Sequence, residues 1–196
     1  MKFLKALILF SVVLSFSANA LLEVNIIKSK EELFPVVIAP FEIIGDAHQG
    51  ADIANIIRDN LNRSGQFNAL TTNELVTNQI DFDFWQEHNK DAVVFGKVEQ
   101  VSSKVFNIYI YIYDVFSKKS LYAKKIAVHN SGIRRIAHYL SDKIYYVLLG
   151  QKGSFDTRLS YVTVSESKKG NRTYRLQISD SDGYNPQTVV KSAHPI

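Results

Sequence analysis

Hydrophobic and polar positions alternate most regularly between Val105 and Val115. Phe106, Ile108, Ile110 and Ile112 fall on one face and Asn107, Tyr109, Tyr111 and Tyr113 on the other, a period of two that suits an extended strand. Just upstream, Ala92-Val93-Val94-Phe95-Gly96-Lys97-Val98 is a nearly continuous apolar run, the pattern of a strand covered on both faces. The link Glu99 to Lys104 is polar and short, so the two strands are expected to pair as an antiparallel hairpin. Leu121 to His129 is expected as a third antiparallel strand, after the turn-like Ser117-Lys118-Lys119-Ser120.

In two places the period changes to that of a helix. From Gly50 to Arg63, Ile53, Ile56, Ile57 and Leu61 recur at three- and four-residue steps, and Gly65 supplies a stop. From Gly132 to Leu149, Ile133, Ile136, Ala137, Leu140, Ile144, Val147 and Leu148 form one stripe, stopped by Gly150. Pro35 to Phe41 is read as one buried strand with prolines near its ends, and Phe67 to Leu70 as a short strand. Thr72 to Val76 and Phe82 to His88 are read as short helical turns, with Trp85 packed rather than catalytic. Two main helices then cover one face of a mixed sheet, an α+β layer over residues 33–153. Beyond Gly153, Arg158 to Val164, Arg172 to Ser179 and Thr188 to Lys191 are short strands separated by Gly- and Asn-containing turns, part of a propeller or a sandwich. Such a meander alone should be marginally stable.

The first 20 residues read as a secretory signal. Lys2 and Lys5 give the positive start, Ala6 to Phe16 is an apolar run, and Ser17-Ala18-Asn19-Ala20 places small residues, Ala18 and Ala20, where a signal peptidase needs them. That run of 11 residues is too short to span a bilayer, and no transmembrane segment is expected in the mature chain. In Leu21 to Lys28, Leu22, Val24 and Ile26 alternate with Glu23, Asn25 and Ile27. This stretch is either a detachable arm, extending to residue 32, or the first strand of the domain.

Charge and composition narrow the function. The 196 residues carry 23 Lys and Arg against 19 Asp and Glu; without Lys2 and Lys5 the balance is 21 against 19, or +2. A mature charge that small gives no footprint for nucleic acid, so the Tyr row of the hairpin is read as covered by a helix or wet rather than as a base-stacking platform. There is no Cys, which excludes disulfides and thiolate metal sites. No Walker A loop, HExxH, nucleophile elbow or dinucleotide fingerprint occurs. His138 and Asp142 lie four apart on the second long helix, a spacing open to a general base or a metal pair, and are read as a hydrogen-bonded pair on the helix surface. Asp180-Ser181-Asp182-Gly183 resembles the start of a calcium loop. Its Gly comes too early, however, and Lys191 stands where the bidentate Glu should be, so it is read as a turn. Asn171-Arg172-Thr173 is a sequon, relevant only in a glycosylating pathway. No catalytic residue, metal site or cofactor is expected.

Several segments in order resemble a known family. They are Ala51-Asp52-Ile53-Ala54, Leu61 to Phe67 (Leu-Asn-Arg-Ser-Gly-Gln-Phe), Asp91 to Val98, Ala137-His138 with Ser141-Asp142-Lys143-Ile144, Leu149 to Arg158, and Ser179 to Gln187. Together these are similar to the TolB family, the periplasmic component of the Tol-Pal system, over essentially all of Leu22 to Ile196. The resemblance implies a non-enzymatic adaptor with an N-terminal α/β domain followed by a β-propeller. It implies that an arm at Leu22, Glu23, Val24, Asn25, Ile26, Ile27 and Lys28 binds a TolA-like inner-membrane protein by strand addition. It also implies that a complete propeller binds a Pal-like lipoprotein. The family's repeated Ser-Pro-Asp-Gly blade turns do not occur here, so residues 154–196 are expected to be an incomplete β-propeller blade. Three readings stay open: a truncated adaptor serving outer-membrane integrity and cell division, a remnant of an interrupted gene, and a periplasmic small-ligand binder.

Overall fold

The alternation at Val105 to Val115 becomes the strand next to one edge of a six-stranded mixed sheet. The computed structural model describes residues 33–46, 52–77 and 79–196; the signal residues Ala18 and Ala20 and the arm Leu22 to Lys28 lie outside the described residues. The strands are β1 (Phe34–Ile38), β2 (Glu42–Ile44), β3 (Phe67–Thr71), β4 (Ala92–Gln100), β5 (Val105–Asp114) and β6 (Ser120–His129). The sheet runs β3-β1-β4-β5-β6, and β2 pairs with the far end of β4. β1 is parallel to both β3 and β4, whereas β4, β5 and β6 form the antiparallel meander expected from their patterns.

Two long helices, α1 (Ile53–Arg63) and α3 (Ile133–Leu149), lie on one face. Their Ile53, Ile57, Leu61, Ala137, Leu140 and Ile144 pack on Phe106, Ile108, Ile110 and Ile112, the aliphatic face of β5. Gly150 ends α3 in the left-handed region, φ 70°, and donates its amide to Tyr146 O at 2.9 Å. A short helix, α2 (Phe82–Glu87), lies over the opposite face. There Trp85, Val76 and Ile80 pack with Val37, Val93, Phe95 and Val115. Tyr111 and Tyr113 stack on Phe95 at 5.1 and 5.9 Å between ring centroids, so two of the three tyrosines are packing groups. Tyr109 is the wet one. Its hydroxyl donates to Glu99 at 3.0 Å, a bond that helps hold that carboxyl below its usual range, and Lys97 Nζ sits 4.4 Å from its ring centroid.

Two local expectations need correction. Pro35 to Phe41 is not one strand. Ala39 N still donates to Val94 O at 2.8 Å, but Pro40 has no N–H to continue the ladder, and pairing resumes only at Glu42. Thr72 to Val76 is not helical: Thr72 Oγ1 accepts the Glu74 amide at 3.1 Å, a local turn that competes with helix formation.

At the sheet's β3 edge, the Asn62 side chain plays the part of a neighbouring strand. Its Oδ1 accepts the Ala69 amide at 2.8 Å and its Nδ2 donates to the Ala69 carbonyl at 2.9 Å. After α3 the chain forms a separate antiparallel sheet, β7 (Arg158–Glu166), β8 (Arg172–Asp180) and β9 (Gln187–Ser192), in that order. Residues 33–196 form one compact unit.

Candidate functional site

Polar residues on helix stripes that should be apolar are the best local pointer to a site. Asn60 falls on the α1 stripe with Ile56, Ile57 and Leu61, and His138 and Ser141 fall beside Ala137, Leu140 and Ile144 on α3. All three are buried where the helices meet. Asn60 Nδ2 lies 2.9 Å from both His138 Nδ1 and Ser141 Oγ, Ser141 Oγ donates to Ala137 O at 2.8 Å, and Arg63 donates to Asn60 Oδ1 at 2.7 Å.

The far side of His138 is closed by the β8–β9 turn. Gly183, at φ 82°, lets the chain reverse, with its amide donated to Asp180 O at 2.9 Å. Asp182 then accepts the Tyr184 amide on Oδ1 at 3.0 Å and a charge-assisted bond from Arg134 on Oδ2. Arg134 Nε is 3.8 Å from Asp180, and the guanidinium carbon lies 3.8 Å from the Tyr184 ring centroid. His138 Nε2 is 3.8 Å from Asp182 Oδ2, and Ser181 donates to Phe155 O at 2.6 Å. The Asp-Ser-Asp-Gly segment is therefore a turn, as read from its spacing, but one that α3 binds.

Burial pushes His138 below its ordinary range; Asp182 pulls it back up, and Arg134 adds to the lowering. Burial acts upward on the Asp182 carboxyl, yet the Tyr184 amide, Arg134 and His138 together hold it below the usual carboxylate range. The ligand-type atoms of His138, Asp180 and Asp182 lie within 4.8 Å of one another. Arg134, a permanent cation, already lies against both carboxylates, so the charge of the cluster is compensated from within the fold.

His138 and Asp142 do not pair, contrary to the spacing argument. His138 turns inward to Asn60, whereas Asp142 accepts the amides of Phe155 at 2.7 Å and Asp156 at 3.0 Å. A Cβ at Gly153 would sit 2.4 Å from Asp142 Oδ1, so a side chain there would push that carboxylate off the two amides it accepts. The segment after α3 is thus tied back onto the helix. Asp142→Ala leaves two amides without their acceptor and is expected to cost about 2 kcal/mol in urea unfolding, with Asp142→Asn losing less. A cavity of about 370 Å³ lies beside this junction, lined in part by Arg63, Tyr145, Lys152 and Phe155. Three of its hydroxyls, on Ser64, Thr157 and Ser181, are donated to backbone carbonyls rather than aimed into the space.

The sequence model of the family described as the TolB amino-terminal domain matches residues 22–121. The chain belongs to this family. Two curated relatives named Tol-Pal system protein TolB agree with it. The one from Ruthia magnifica is 58% identical over 91% of this chain, and the one from Vesicomyosocius okutanii is 53% identical over 90%. The crystal structure of TolB from Acinetobacter baumannii superposes with a TM-score of 0.71 at 32% identity, covering 84% of this chain and 40% of that one. A span of 84% exceeds the α+β layer alone, so the terminal strands share the TolB fold and resemble an incomplete propeller blade. The chain spans 42% of the length of both curated relatives. Among the described residues, no helix is long and apolar enough to cross a membrane.

Of the TolB-like segments singled out in the sequence, Leu61 to Phe67, Ala137-His138 with Ser141-Asp142, and Ser179 to Gln187 all contribute to this junction or its supports. Asn60 and Arg134 were missed. The signal for Asn60 was its place on an apolar stripe; Arg134 gave none, because its partners lie more than 40 residues away.

Proposed function

We propose that this chain is a periplasmic, non-enzymatic component of the Tol-Pal system that acts through protein contacts and serves outer-membrane integrity and cell division. The observation that carries the reading is membership of the TolB amino-terminal domain family, with curated Tol-Pal relatives up to 58% identical over 91% of the chain. A second point supports it: the place where titratable side chains converge, around His138, is engaged in holding two parts of the fold together.

In this proposal residues 1–20 direct export, 21–32 are a partner-binding arm, 33–153 the α/β domain and 154–196 the start of a propeller. The arm, Leu22 to Lys28, contacts a TolA-like inner-membrane protein by adding as a strand, with backbone bonds giving affinity and Leu22, Val24 and Ile26 giving fit. Contact with a Pal-like lipoprotein is assigned to propeller residues of the longer relatives that have no counterpart among these 196. The test is to titrate the isotope-labelled chain, without its leader, with the C-terminal domain of a TolA-like protein. The expected result is amide shifts concentrated in Leu22 to Lys28, and no capture of a Pal-like protein by the same chain. An arm whose resonances stay unmoved at saturating partner would overturn the TolA arm of the proposal, and tight Pal capture would overturn the other.

A further inference from the structure

The hydrogen bonds around His138 determine which nitrogen carries its proton. Arg63 can only donate, so the Asn60 atom 2.7 Å from it is the carbonyl oxygen, and the amide nitrogen must face His138 Nδ1 and Ser141. An amide nitrogen also only donates, so Nδ1 is an acceptor and neutral His138 carries its proton on Nε2. That Nε2 is buried without a hydrogen-bond partner, aimed at Asp182 Oδ2 3.8 Å away, beyond hydrogen-bond reach.

The second proton has a place only at a cost to α1. Protonated Nδ1 would point its hydrogen at the Asn60 NH2 group. Rotating the Asn60 amide would relieve that clash but turn the NH2 group onto the Arg63 guanidinium. On the other side, imidazolium gains from Asp182 and Asp180. Among the described residues, the charged groups acting on the ring are Arg63 from α1, Arg134 from α3, and Asp180 and Asp182 from the end of β8 and its turn.

We propose that His138 is a proton-operated latch between α1 and the β8–β9 turn: neutral, it is held by Asn60; protonated, it releases Asn60 and is drawn onto Asp182. This loosens α1 against α3 and tightens the hold of α3 on the terminal meander. The proposal stands independently of the Tol-Pal assignment, since it uses only contacts within residues 33–196.

The direction with pH follows from burial, the largest influence on the ring, which keeps it neutral to lower pH than in the unfolded chain. The unfolded chain therefore takes up the proton first, and stability falls as pH drops through about 6.5, flattening once the folded protein is also protonated. Asn60→Asp should reverse this. A carboxylate accepts from Nδ1–H, so the folded midpoint rises above the unfolded one, adding stability at low pH that is lost as pH rises through the folded midpoint.

The test is a pH titration of the full chain by nitrogen NMR from pH 8 to 4.5. At pH 8 the expected spectrum is that of the Nε2–H tautomer. On acidification the Asn60 side-chain amide and the backbone amides of Asp182 and Tyr184 should move with the His138 midpoint, below the ordinary histidine value. In Asn60→Asp that midpoint should rise by one pH unit or more, a tenfold change in proton affinity. A Nδ1–H tautomer at pH 8, turn amides that ignore the His138 titration, or an unchanged midpoint in Asn60→Asp would each overturn the latch. If that variant does not fold, the tautomer and the amide titration of the unaltered chain decide the matter.

Discussion

Gly96→Ala is expected to lower stability by about 3 kcal/mol, the upper part of what overpacking usually costs. Gly96 lies mid-strand in β4, where β-branched and aromatic residues would be favoured by propensity. A Cβ there would sit 2.1 Å from the Tyr109 carbonyl oxygen and 2.4 Å from the Phe41 ring. The carbonyl belongs to the neighbouring strand and cannot swing aside, and the Phe41 ring is itself buried in the core. Relief must therefore come from separating β4 and β5, the pair on which both layers rest. Thermal unfolding should show a midpoint lowered by roughly 10 °C for a chain of this size. A change within about 1 °C would mean that the close approach of Phe41 to Gly96 is wrong.

The second large effect distinguishes the two faces of β5. Ile108→Ala removes a fully buried side chain between α1, α3 and the sheet and should cost about 3 kcal/mol, combining lost transfer free energy with a residual cavity. Tyr109→Phe, one residue along, removes only the hydroxyl that meets Glu99 on the wet face, with an expected cost of about 0.5 kcal/mol. Comparable losses from both substitutions in denaturant titrations would contradict the division, at this point of β5, into a fully buried face and a partly wet one.

That division was legible in the sequence because β5 carries it at a period of two, and α1 and α3 at 3.6. Cover on both faces of β4 was legible too, from its nearly continuous apolar run. Legibility ended where a single local substitution for a backbone group decides the outcome. Pro40 removes one donor, and the strand read as running to Phe41 ends at Ile38. Thr72 captures one amide and prevents a turn of helix.

The junction was hidden for a different reason. His138 has one partner by spacing, Asp142 at four residues, but the fold gives it Asn60 and Asp182, 78 and 44 residues away. A helix pattern can show that a polar residue faces inward; it carries no information about which distant polar residue meets it there. Resemblance to the TolB family marked Ser179 to Gln187 as a specific segment, although its local chemistry read only as a turn. Its role became visible once Arg134 and Tyr184 were placed against it.

Asn62 has a consequence for how this sheet meets other chains. The edge of a sheet is a template for any extended segment that offers matching amides and carbonyls, including those of unrelated or misfolded proteins. At Ala69 both pairing groups of β3 are already engaged by one side chain, so an incoming strand would have to displace two hydrogen bonds before forming its own. The β3 side is thereby guarded against indiscriminate annealing at Ala69. β6, on the opposite margin, carries no such side-chain bracket among the described hydrogen bonds.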